Sequence, residues 1–314
     1  MSANILILDP IDPGALRELE RRFSVRVALR PADHELLGLV EEAEVIVVRS
    51  GVRLTRAVLE AATSLRLVAR AGVGVDNIDL AAAQDRGVVV FNVPGESANA
   101  VAEFTFGLLL ALVRKIALAD RQLRAGRWAK HELAGIELRG KTLGVVGLGE
   151  IGGRVSALGG GFGMRIVGCV AHPSEERRRE LASRGISLTD LDEVLASSDV
   201  VSLHVPLDAT SRGLVGGPQL ATMRASAVLV NVSRGEVADE AALLDALRSG
   251  TIAGAAIDVF AREGQPTPLS SLENVLLTPH IGAMTVDSQA RVGARLVAAI
   301  VLGLAGKEIP GRIV

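Results

Sequence analysis

The chain has 314 residues, of which 49% are hydrophobic and 22% are charged, and its formal net charge is −2. This composition excludes a disordered protein, and a charge so close to zero favours neither nucleic acid nor an anionic membrane as a partner. The only cysteine is Cys169, which excludes a disulfide framework and a cysteine-rich zinc site.

No segment of the chain has the length of a membrane span. Its longest apolar runs, Phe104–Val113 and Leu296–Ala305, are ten residues each, whereas a spanning helix needs about 20. The N-terminus lacks the basic region of a signal peptide and runs into Asp9-Pro10. We therefore expect a soluble, cytoplasmic protein without a membrane partner.

Short β-branched runs alternate with helix-like stretches in the first third of the chain. The predicted strands are Asn4–Leu8, Val25–Leu29, Val45–Val48, Leu67–Arg70 and Val88–Phe91. The predicted helices begin at Asp12-Pro13 and cover Asp33–Glu42, Thr55–Ala61 and Asp79–Arg86. Continuous apolar strands in this βαβα rhythm are typical of a parallel sheet that is covered on both faces.

A second series follows one long, very apolar helix, which is predicted over Ser97–Lys115 and must be buried in the core or against another subunit. Its predicted strands are Leu143–Val146, Ile166–Cys169, Val200–Leu203, Val228–Val230, Ala255–Ile257 and Val275–Leu277, and a last helix covers Val286–Leu304. Two consecutive series predict an α/β protein with two doubly wound parallel-sheet domains.

A dinucleotide fingerprint opens the second series. Gly147, Gly149 and Gly152 follow an apolar strand and, with Glu150 and Ile151 between them, begin a helix-like segment. In this context the first glycine permits a tight turn, the second lets the backbone approach a pyrophosphate, and the third lets helix and strand pack closely. The anion then lies at the positive end of the helix.

The acidic residue that usually binds the ribose diol is missing. The corresponding position is Val170 when it is counted without gaps and His172 when a short insertion is allowed. Ser174 and the arginine pair Arg177 and Arg178 follow, and these residue types can bind a 2′-phosphate. The pattern favours NADP, or no strong preference, so NAD and NADP both remain open.

Three further segments stand at predicted strand ends, and they contain Arg234, Glu263 and His280. Because ligands bind outside the carboxyl ends of parallel strands, these side chains are expected to converge on one cleft. A histidine can exchange the hydroxyl proton while hydride moves, and a neighbouring carboxylate fixes the orientation of its ring. An arginine can hold a carboxylate and stabilise developing negative charge, so no metal is expected.

The chain resembles the D-isomer-specific 2-hydroxyacid dehydrogenase family, and in particular its D-3-phosphoglycerate dehydrogenase-like members. The motifs that carry the resemblance are Val48-Arg49-Ser50, Arg70-Ala71-Gly72-Val73-Gly74-Val75-Asp76-Asn77-Ile78-Asp79, Asn92-Val93-Pro94-Gly95, Ala100-Val101-Ala102-Glu103, Gly126-Arg127-Trp128 and Leu203-His204-Val205-Pro206-Leu207 through Thr210. Together they cover nearly the whole chain.

The resemblance implies a role for each matching residue. Arg234, Glu263 and His280 would be the catalytic set, with Arg234 and His280 also contacting substrate. The amides of Val73 and Gly74 would bind the substrate carboxylate, and Arg49 and Ser50 would lie at an anionic tail. The implied cofactor-binding residues are Gly147, Gly149, Glu150, Ile151, Gly152, Val170, His172, Ser174, His204, Val205, Pro206, Thr210, Val232, Ser233, Asp258 and Gly282.

The resemblance also implies a domain organisation. A flavodoxin-like substrate domain, residues 1–98 and 285–314, would close over a Rossmann cofactor domain, residues 99–284, and two copies would form a homodimer through the cofactor domain. A C-terminal regulatory domain would be missing after Val314. The implied activity is NAD(P)-dependent hydride transfer on a small anionic 2-hydroxy or 2-oxo acid, such as 3-phosphoglycerate, hydroxypyruvate or glyoxylate. The alternative is a nucleotide-sensing corepressor of the same fold.

Overall fold

The chain divides into two compact units in a computed structural model that describes residues 3–314. The unit that we call the split unit combines the chain up to Ser97 with Met284–Val314, and the central unit is Ala98–Ala283. Among residues 3–314, no helix combines the length and apolarity that crossing a membrane requires.

The split unit is built on a five-stranded parallel sheet. Its strands are β1 (Asn4–Ile7), β2 (Ser24–Val27), β3 (Val45–Val48), β4 (Leu67–Arg70) and β5 (Val89–Phe91). Its helices are α1 (Pro13–Arg22), α2 (Asp33–Val40), α3 (Arg56–Ala61), α4 (Leu80–Asp85) and the C-terminal helix Val286–Leu304. The strand order β2-β1-β3-β4-β5 is that of flavodoxin.

Local sequence signals explain where the helices of the split unit begin. The carboxylate of Asp12 accepts the N–H of Ala15 at 2.9 Å, and Pro13 occupies the first turn of α1. Thr55 and Asp79 cap α3 and α4 in the same way. All residues of β3 and β4 are buried, as expected of central strands that are covered on both faces.

The central unit is built on a seven-stranded parallel sheet. Its strands are β6 (Thr142–Val146), β7 (Arg165–Cys169), β8 (Ile186–Leu188), β9 (Val200–Leu203), β10 (Val228–Asn231), β11 (Gly254–Ile257) and β12 (Val275–Leu277). Its helices are α5 (Ala98–Val113), α6 (Ile116–Arg124), α7 (Glu150–Gly161), α8 (Glu175–Ser183), α9 (Leu191–Ser197), α10 (Gly217–Thr222) and α11 (Glu240–Ser249). The order β12-β11-β10-β9-β6-β7-β8 is the dinucleotide-binding order with one added strand. The prediction of two doubly wound parallel sheets is confirmed.

The long predicted helix is shorter in the structure, and one observed strand was not predicted. The long helix predicted over Ser97–Lys115 ends at Val113, because Lys115 has a left-handed backbone (φ 54°) and α6 begins immediately after it. Strand β8 was not predicted, because Ser187 interrupts its apolar run.

The apolar character of α5 is explained by the core of the central unit. Nine of its sixteen residues are buried, and the helix packs against α7 and the strands β10, β11 and β12. A subunit contact is therefore not needed to account for its composition.

Candidate active site

The glycine loop has the geometry that its sequence predicts. Gly147 has φ +91°, and a Cβ there would lie 2.6 Å from the carbonyl oxygen of His204. A Cβ on Gly152 would lie 2.0 Å from the carbonyl oxygen of Gly147, whereas nothing lies within 4 Å of one on Gly149. The first and third positions therefore require glycine for the turn and for close packing, and the second leaves the backbone open.

A cavity of about 830 Å³ extends from this loop within the central unit. This volume lies in the range of about 300–1,000 Å³ that is usual for small-molecule sites. Seven of the predicted cofactor-binding residues line it: Gly147, Gly149, Val170, His204, Val205, Pro206 and Thr210. Apolar side chains that include Leu188, Leu191 and Leu214 complete a wall suited to an adenine ring, so the residues present fit a dinucleotide.

His204 contributes an uncharged ring to the cavity wall. Burial lowers the pKa of His204 to about 3, so its imidazole is neutral at physiological pH. Its Nε2 lies 2.7 Å from the Oγ of Ser202, and its Nδ1 is buried without a hydrogen-bond partner in the structure. Cys169 also lines the cavity, and burial raises the pKa of its thiol to about 11, which keeps it protonated.

The predicted cofactor residues that follow β7 differ in whether they line the cavity. His172 and Ser174 are exposed and do not line the cavity, and the Oγ of Ser174 instead accepts the N–H of Arg177 as the cap of α8. The guanidinium of Arg177 pairs with Glu180 and the carbonyl of Leu148. Arg178 does line the cavity, where it is the one arginine or lysine among the lining residues that the structure describes.

Two predicted residues of the fingerprint face other partners. Glu150 forms an ion pair with Arg154 at 2.6 Å on the exposed side of α7. Ile151 is half-buried and packs against the core of the central unit. Any contact of these two residues with a dinucleotide would therefore come from the backbone at the start of α7.

The three predicted catalytic residues follow three neighbouring strands. Arg234 follows β10, Glu263 follows β11 and His280 follows β12, and these strands pair in parallel. The Nδ1 of His280 lies 2.5 Å from the Oε1 of Glu263. Because a carboxylate only accepts, Nδ1 carries the proton and donates to Glu263. Nε2 has no hydrogen bond within residues 3–314, so it is the nitrogen available for proton exchange.

The backbone of His280 is held in an uncommon conformation by Asp258. His280 has φ +53°, a left-handed conformation that non-glycine residues adopt rarely. The Asp258 carboxylate, 1% exposed, accepts the hydroxyl of Thr278 at 2.6 Å and the N–H groups of Ile281 and Gly282 at 2.9 Å. Asp258 therefore fixes the turn from which the imidazole projects.

The turn that carries Arg234 is fixed in a similar way. The buried amide of Asn231 donates to the carbonyl of Arg234 at 2.9 Å and accepts from the backbone and hydroxyl of Ser233 at 3.1 and 2.8 Å. Gly235 follows, and a Cβ there would lie 2.0 Å from the backbone of Phe260, so the turns after β10 and β11 lie against each other.

Three other predicted cofactor residues, Val232, Ser233 and Gly282, are buried at these same strand ends. A Cβ on Gly282 would lie 3.2 Å from the Oδ2 of Asp258. They pack at the turns that carry Arg234 and His280 and do not line the cavity at the glycine loop.

The predicted substrate residues lie in the split unit, on loops after the adjacent strands β3 and β4. Arg49 and Ser50 follow β3, and Val73 and Gly74 lie in the loop after β4. The amide of Asn77 joins the two loops by donating to the carbonyls of Arg49 and Val52 at 2.7 and 2.6 Å. Ser50 is exposed and has no hydrogen bond within the described residues.

The guanidinium of Arg49 has hydrogen bonds only to a sulfur atom among the described residues. Its Nη1 and Nη2 lie 3.5 Å from the Sδ of Met284, and no carboxylate among residues 3–314 lies within ion-pair distance of it. Burial lowers the pKa of Arg49, Asp9 opposes this shift, and Arg30 adds to it. An arginine that is partly desolvated without an ion-pair partner is suited to binding an anion.

Sequence reasoning missed several residues that shape the site. The sequence patterns assigned no role to Asn231, to Asp190 in the cavity wall, or to the bonds of Arg70 with its own loop. A buried polar residue at a strand end was the available signal for Asn231, since such a group must find hydrogen-bond partners.

The arrangement can move a proton and a hydride. The His280–Glu263 pair provides an imidazole with a fixed orientation, and Arg234 provides permanent positive charge on the turn after β10. No group of three or more histidine, cysteine or acidic side chains that could hold a metal occurs among residues 3–314.

Comparisons with known proteins agree with this geometry. Residues 106–282 match the family model for the NAD-binding domain of the D-isomer specific 2-hydroxyacid dehydrogenases. The chain is 44% identical to a D-3-phosphoglycerate dehydrogenase of Methanocaldococcus jannaschii over 92% of its own length, but spans only 55% of that relative. It is 40% identical to a hydroxypyruvate reductase of Thermotoga maritima, covering 92% of this chain and 94% of that relative.

A solved structure shows the same similarity in three dimensions. The NADPH-dependent glyoxylate/hydroxypyruvate reductase of Sinorhizobium meliloti, in complex with NADP and malonate, superposes with a TM-score of 0.89 at 31% identity, over 100% of this chain and 97% of that one. The chain therefore belongs to the D-isomer specific 2-hydroxyacid dehydrogenases, a family of oxidoreductases with an NAD-binding domain.

Proposed function

We propose that this protein catalyses hydride transfer between a nicotinamide dinucleotide and a small anionic 2-hydroxy or 2-oxo acid. The observation that carries the proposal is the His280–Glu263 pair, at 2.5 Å, on the same parallel sheet as the glycine loop and its cavity. When bound, the dinucleotide supplies or accepts the hydride.

Each side chain has a distinct task in this reaction. The Nε2 of His280 gives a proton to the carbonyl oxygen during reduction and takes it back during oxidation. Glu263 stabilises the imidazolium that forms when the acid is oxidised, and it keeps the ring in one orientation. Arg234 binds the carboxylate and stabilises negative charge on the reacting oxygen. We assign the central unit to cofactor binding and the split unit to substrate binding.

The environment of Arg49 supports an acid with a second anionic group. Its guanidinium is partly desolvated and makes no ion pair with a carboxylate in residues 3–314, so an anionic tail would supply its partner. Phosphohydroxypyruvate and 3-phosphoglycerate have such a tail, whereas hydroxypyruvate and glyoxylate do not. The curated relatives described above include a D-3-phosphoglycerate dehydrogenase.

The decisive assay measures absorbance of the reduced nicotinamide with phosphohydroxypyruvate, hydroxypyruvate and glyoxylate, each with NADH and with NADPH. We expect turnover with all three acids and the highest kcat/KM with phosphohydroxypyruvate. Absence of turnover with every pair would contradict the proposed activity, and a preference for glyoxylate would contradict the role given to Arg49.

For the cofactor, we propose that the protein accepts both NADH and NADPH. The cavity wall offers Arg178, which can bind a 2′-phosphate, and the carboxylate of Asp190, which can bind a ribose hydroxyl. The other three residues considered for the 2′-phosphate, His172, Ser174 and Arg177, do not line the cavity.

This arrangement predicts a selective effect of Arg178→Ala. Loss of a charge-assisted hydrogen bond should weaken NADPH binding about tenfold or more, or roughly 1.5 kcal/mol, and should leave NADH binding unchanged. Titration of nicotinamide fluorescence measures both affinities. Arg179→Ala is the matched control, because Arg179 neighbours Arg178 but does not line the cavity. Equal losses for the two cofactors would contradict this role.

We also propose that two copies of the chain associate through the central unit. Several large apolar side chains are exposed on α6 and the segment after it: Ile116 at 54%, Leu123 at 58%, Trp128 at 81% and Ile136 at 41%. Contiguous apolar side chains at a surface mark an interface more often than scattered ones do.

The replacement Trp128→Glu should therefore convert a dimer into a monomer, because it would bury a charge in the interface. Light scattering after size-exclusion chromatography gives the mass directly. Val286→Glu is the control, since Val286 is 86% exposed and belongs to the split unit. A mass unaltered by Trp128→Glu would place the interface elsewhere, and a wild-type monomer would contradict the dimer itself.

A further inference from the structure

We infer that Arg70 is a positioning residue for substrate binding. Its guanidinium binds carbonyls of the Ala71–Gly74 loop, and the N–H groups of the loop then remain available to bind an anion. This inference rests on the proposed function, in which the amides of Val73 and Gly74 bind the substrate carboxylate. In this role Arg70 lies behind the loop and does not itself contact the substrate.

The guanidinium of Arg70 lies inside the loop. Arg70 is the last residue of β4 and only 6% exposed. Its Nε donates to the carbonyl of Gly74 at 2.7 Å, and its Nη1 donates to the carbonyl of Ala71 at 3.3 Å. One side chain therefore joins the beginning and the end of the loop.

The two carbonyls in between are also occupied. The carbonyl of Gly72 accepts the N–H of Val93 at 2.9 Å, and the carbonyl of Val73 accepts the side-chain amide of Asn92 at 2.6 Å. Four consecutive carbonyls are thus bound within the split unit, two of them by Arg70.

The N–H groups of the loop are left without protein partners. Those of Val73, Gly74 and Val75 donate to no acceptor within residues 3–314. In a planar trans peptide the C=O and the following N–H point in opposite directions. The carbonyls of Gly72, Val73 and Gly74 point towards the donors that bind them. Each following N–H group therefore points the other way. Successive free N–H groups form an anion-binding concavity.

Gly72 shows how closely the loop surrounds the guanidinium. It has φ +157°, and a Cβ built there would lie 2.9 Å from the Nη1 of Arg70. A side chain at this position would push the guanidinium from its carbonyl acceptors.

The main test is Arg70→Met, which keeps an unbranched apolar stem and removes both donors. The loop then loses its inner partners, and the amides no longer share one orientation. We expect KM for hydroxypyruvate to rise about tenfold or more, with kcat nearly unchanged, because the carboxylate contact is made in the ground state and in the transition state alike. NADH affinity should remain at the wild-type value.

Three companion variants separate positioning from other effects. Asn92→Ala frees a different carbonyl of the same loop and should also raise KM. Arg70→Lys can reach only one of the two carbonyls and should restore binding in part. Arg53→Met is the matched control, because Arg53 is exposed and has no ion pair or hydrogen bond within residues 3–314, yet its loss removes the same charge.

The choice of substrate distinguishes positioning from direct contact. The carboxylate is common to glyoxylate and phosphohydroxypyruvate, so Arg70→Met should raise KM for both by the same factor. A rise in KM confined to phosphohydroxypyruvate would mean that Arg70 binds the anionic tail of the substrate, and this result would overturn the inference.

Hydrogen exchange tests the same point without activity. In Arg70→Met, peptides covering residues 71–77 should exchange faster than in the wild type, while peptides of the central unit should not. Unchanged exchange in this loop would overturn the inference even if KM rises. If the wild-type enzyme turned over no acid, the proposed function would fail, but exchange would still decide whether Arg70 orders the loop. If Arg70→Met does not fold, the same exchange measurement is made on Asn92→Ala.

Discussion

Replacing His280 with asparagine should lower kcat for hydroxypyruvate reduction by about 10²–10⁴-fold, the usual contribution of a general acid. Asparagine tolerates the left-handed backbone that His280 adopts, with φ +53°, so the turn held by Asp258 should persist. Stopped-flow measurement of nicotinamide oxidation gives the rate of the chemical step, and fluorescence titration should show unchanged NADH binding.

The matched control is His34→Asn, an exposed histidine on α2, which should retain full activity. Glu263→Gln should lose less activity than His280→Asn, since an amide oxygen can still accept from Nδ1 but no longer stabilises an imidazolium. If His280→Asn kept its wild-type rate, the acid would have to be another group, and the proposed mechanism would be wrong.

Replacing Arg234 with alanine should lower kcat/KM by about 10²–10³-fold, as expected when a donor that stabilises developing negative charge is removed. Both kcat and KM should change, because Arg234 is assigned to the carboxylate as well as to the reacting oxygen. Arg234→Lys should recover little, since an ammonium lacks the planar fork that binds two oxygens at once. Steady-state kinetics with glyoxylate measures the loss for the smallest substrate.

Chemical rescue distinguishes a catalytic role for Arg234 from a structural one. Guanidinium chloride at low concentration should restore part of the activity of Arg234→Ala and should not restore a misfolded variant. Arg212→Ala is the control, because the exposed Arg212 pairs with Glu236 at 3.5 Å beside the same turn and such surface pairs contribute little. A wild-type kcat/KM in Arg234→Ala would exclude this residue from the site.

Much of the fold follows from local sequence patterns. The limits of β3, β4, β9 and β12 match the predicted runs to the residue, and the C-terminal helix does so as well. Buried apolar runs and capping residues carry this information within a few neighbouring positions. Strand β8 was missed because a serine interrupts its three residues, Ile186–Leu188, whereas the equally short β12 is an unbroken apolar run.

The sequence does not show which of Arg177 and Arg178 lines the cofactor cavity. Adjacent residues of a helix point about 100° apart, so only one of the two reaches the cavity wall, and the other pairs with Glu180. Either arginine suits a phosphate chemically. The rotation of α8 about its axis depends on how the helix packs, which no local pattern records.

The sequence by itself determined the two parallel sheets, the glycine loop, and the order in which Arg234, Glu263 and His280 follow their strands. These features depend on periodicity, on glycine at positions that exclude a side chain, and on the rule that ligands bind at the carboxyl ends of strands. The tertiary structure alone decided that Asp258 holds the turn of His280, and that Arg70 turns inward and binds carbonyls of its own loop. Such contacts depend on how whole loops close, and a buried polar group takes whichever partner that closure brings within hydrogen-bond distance.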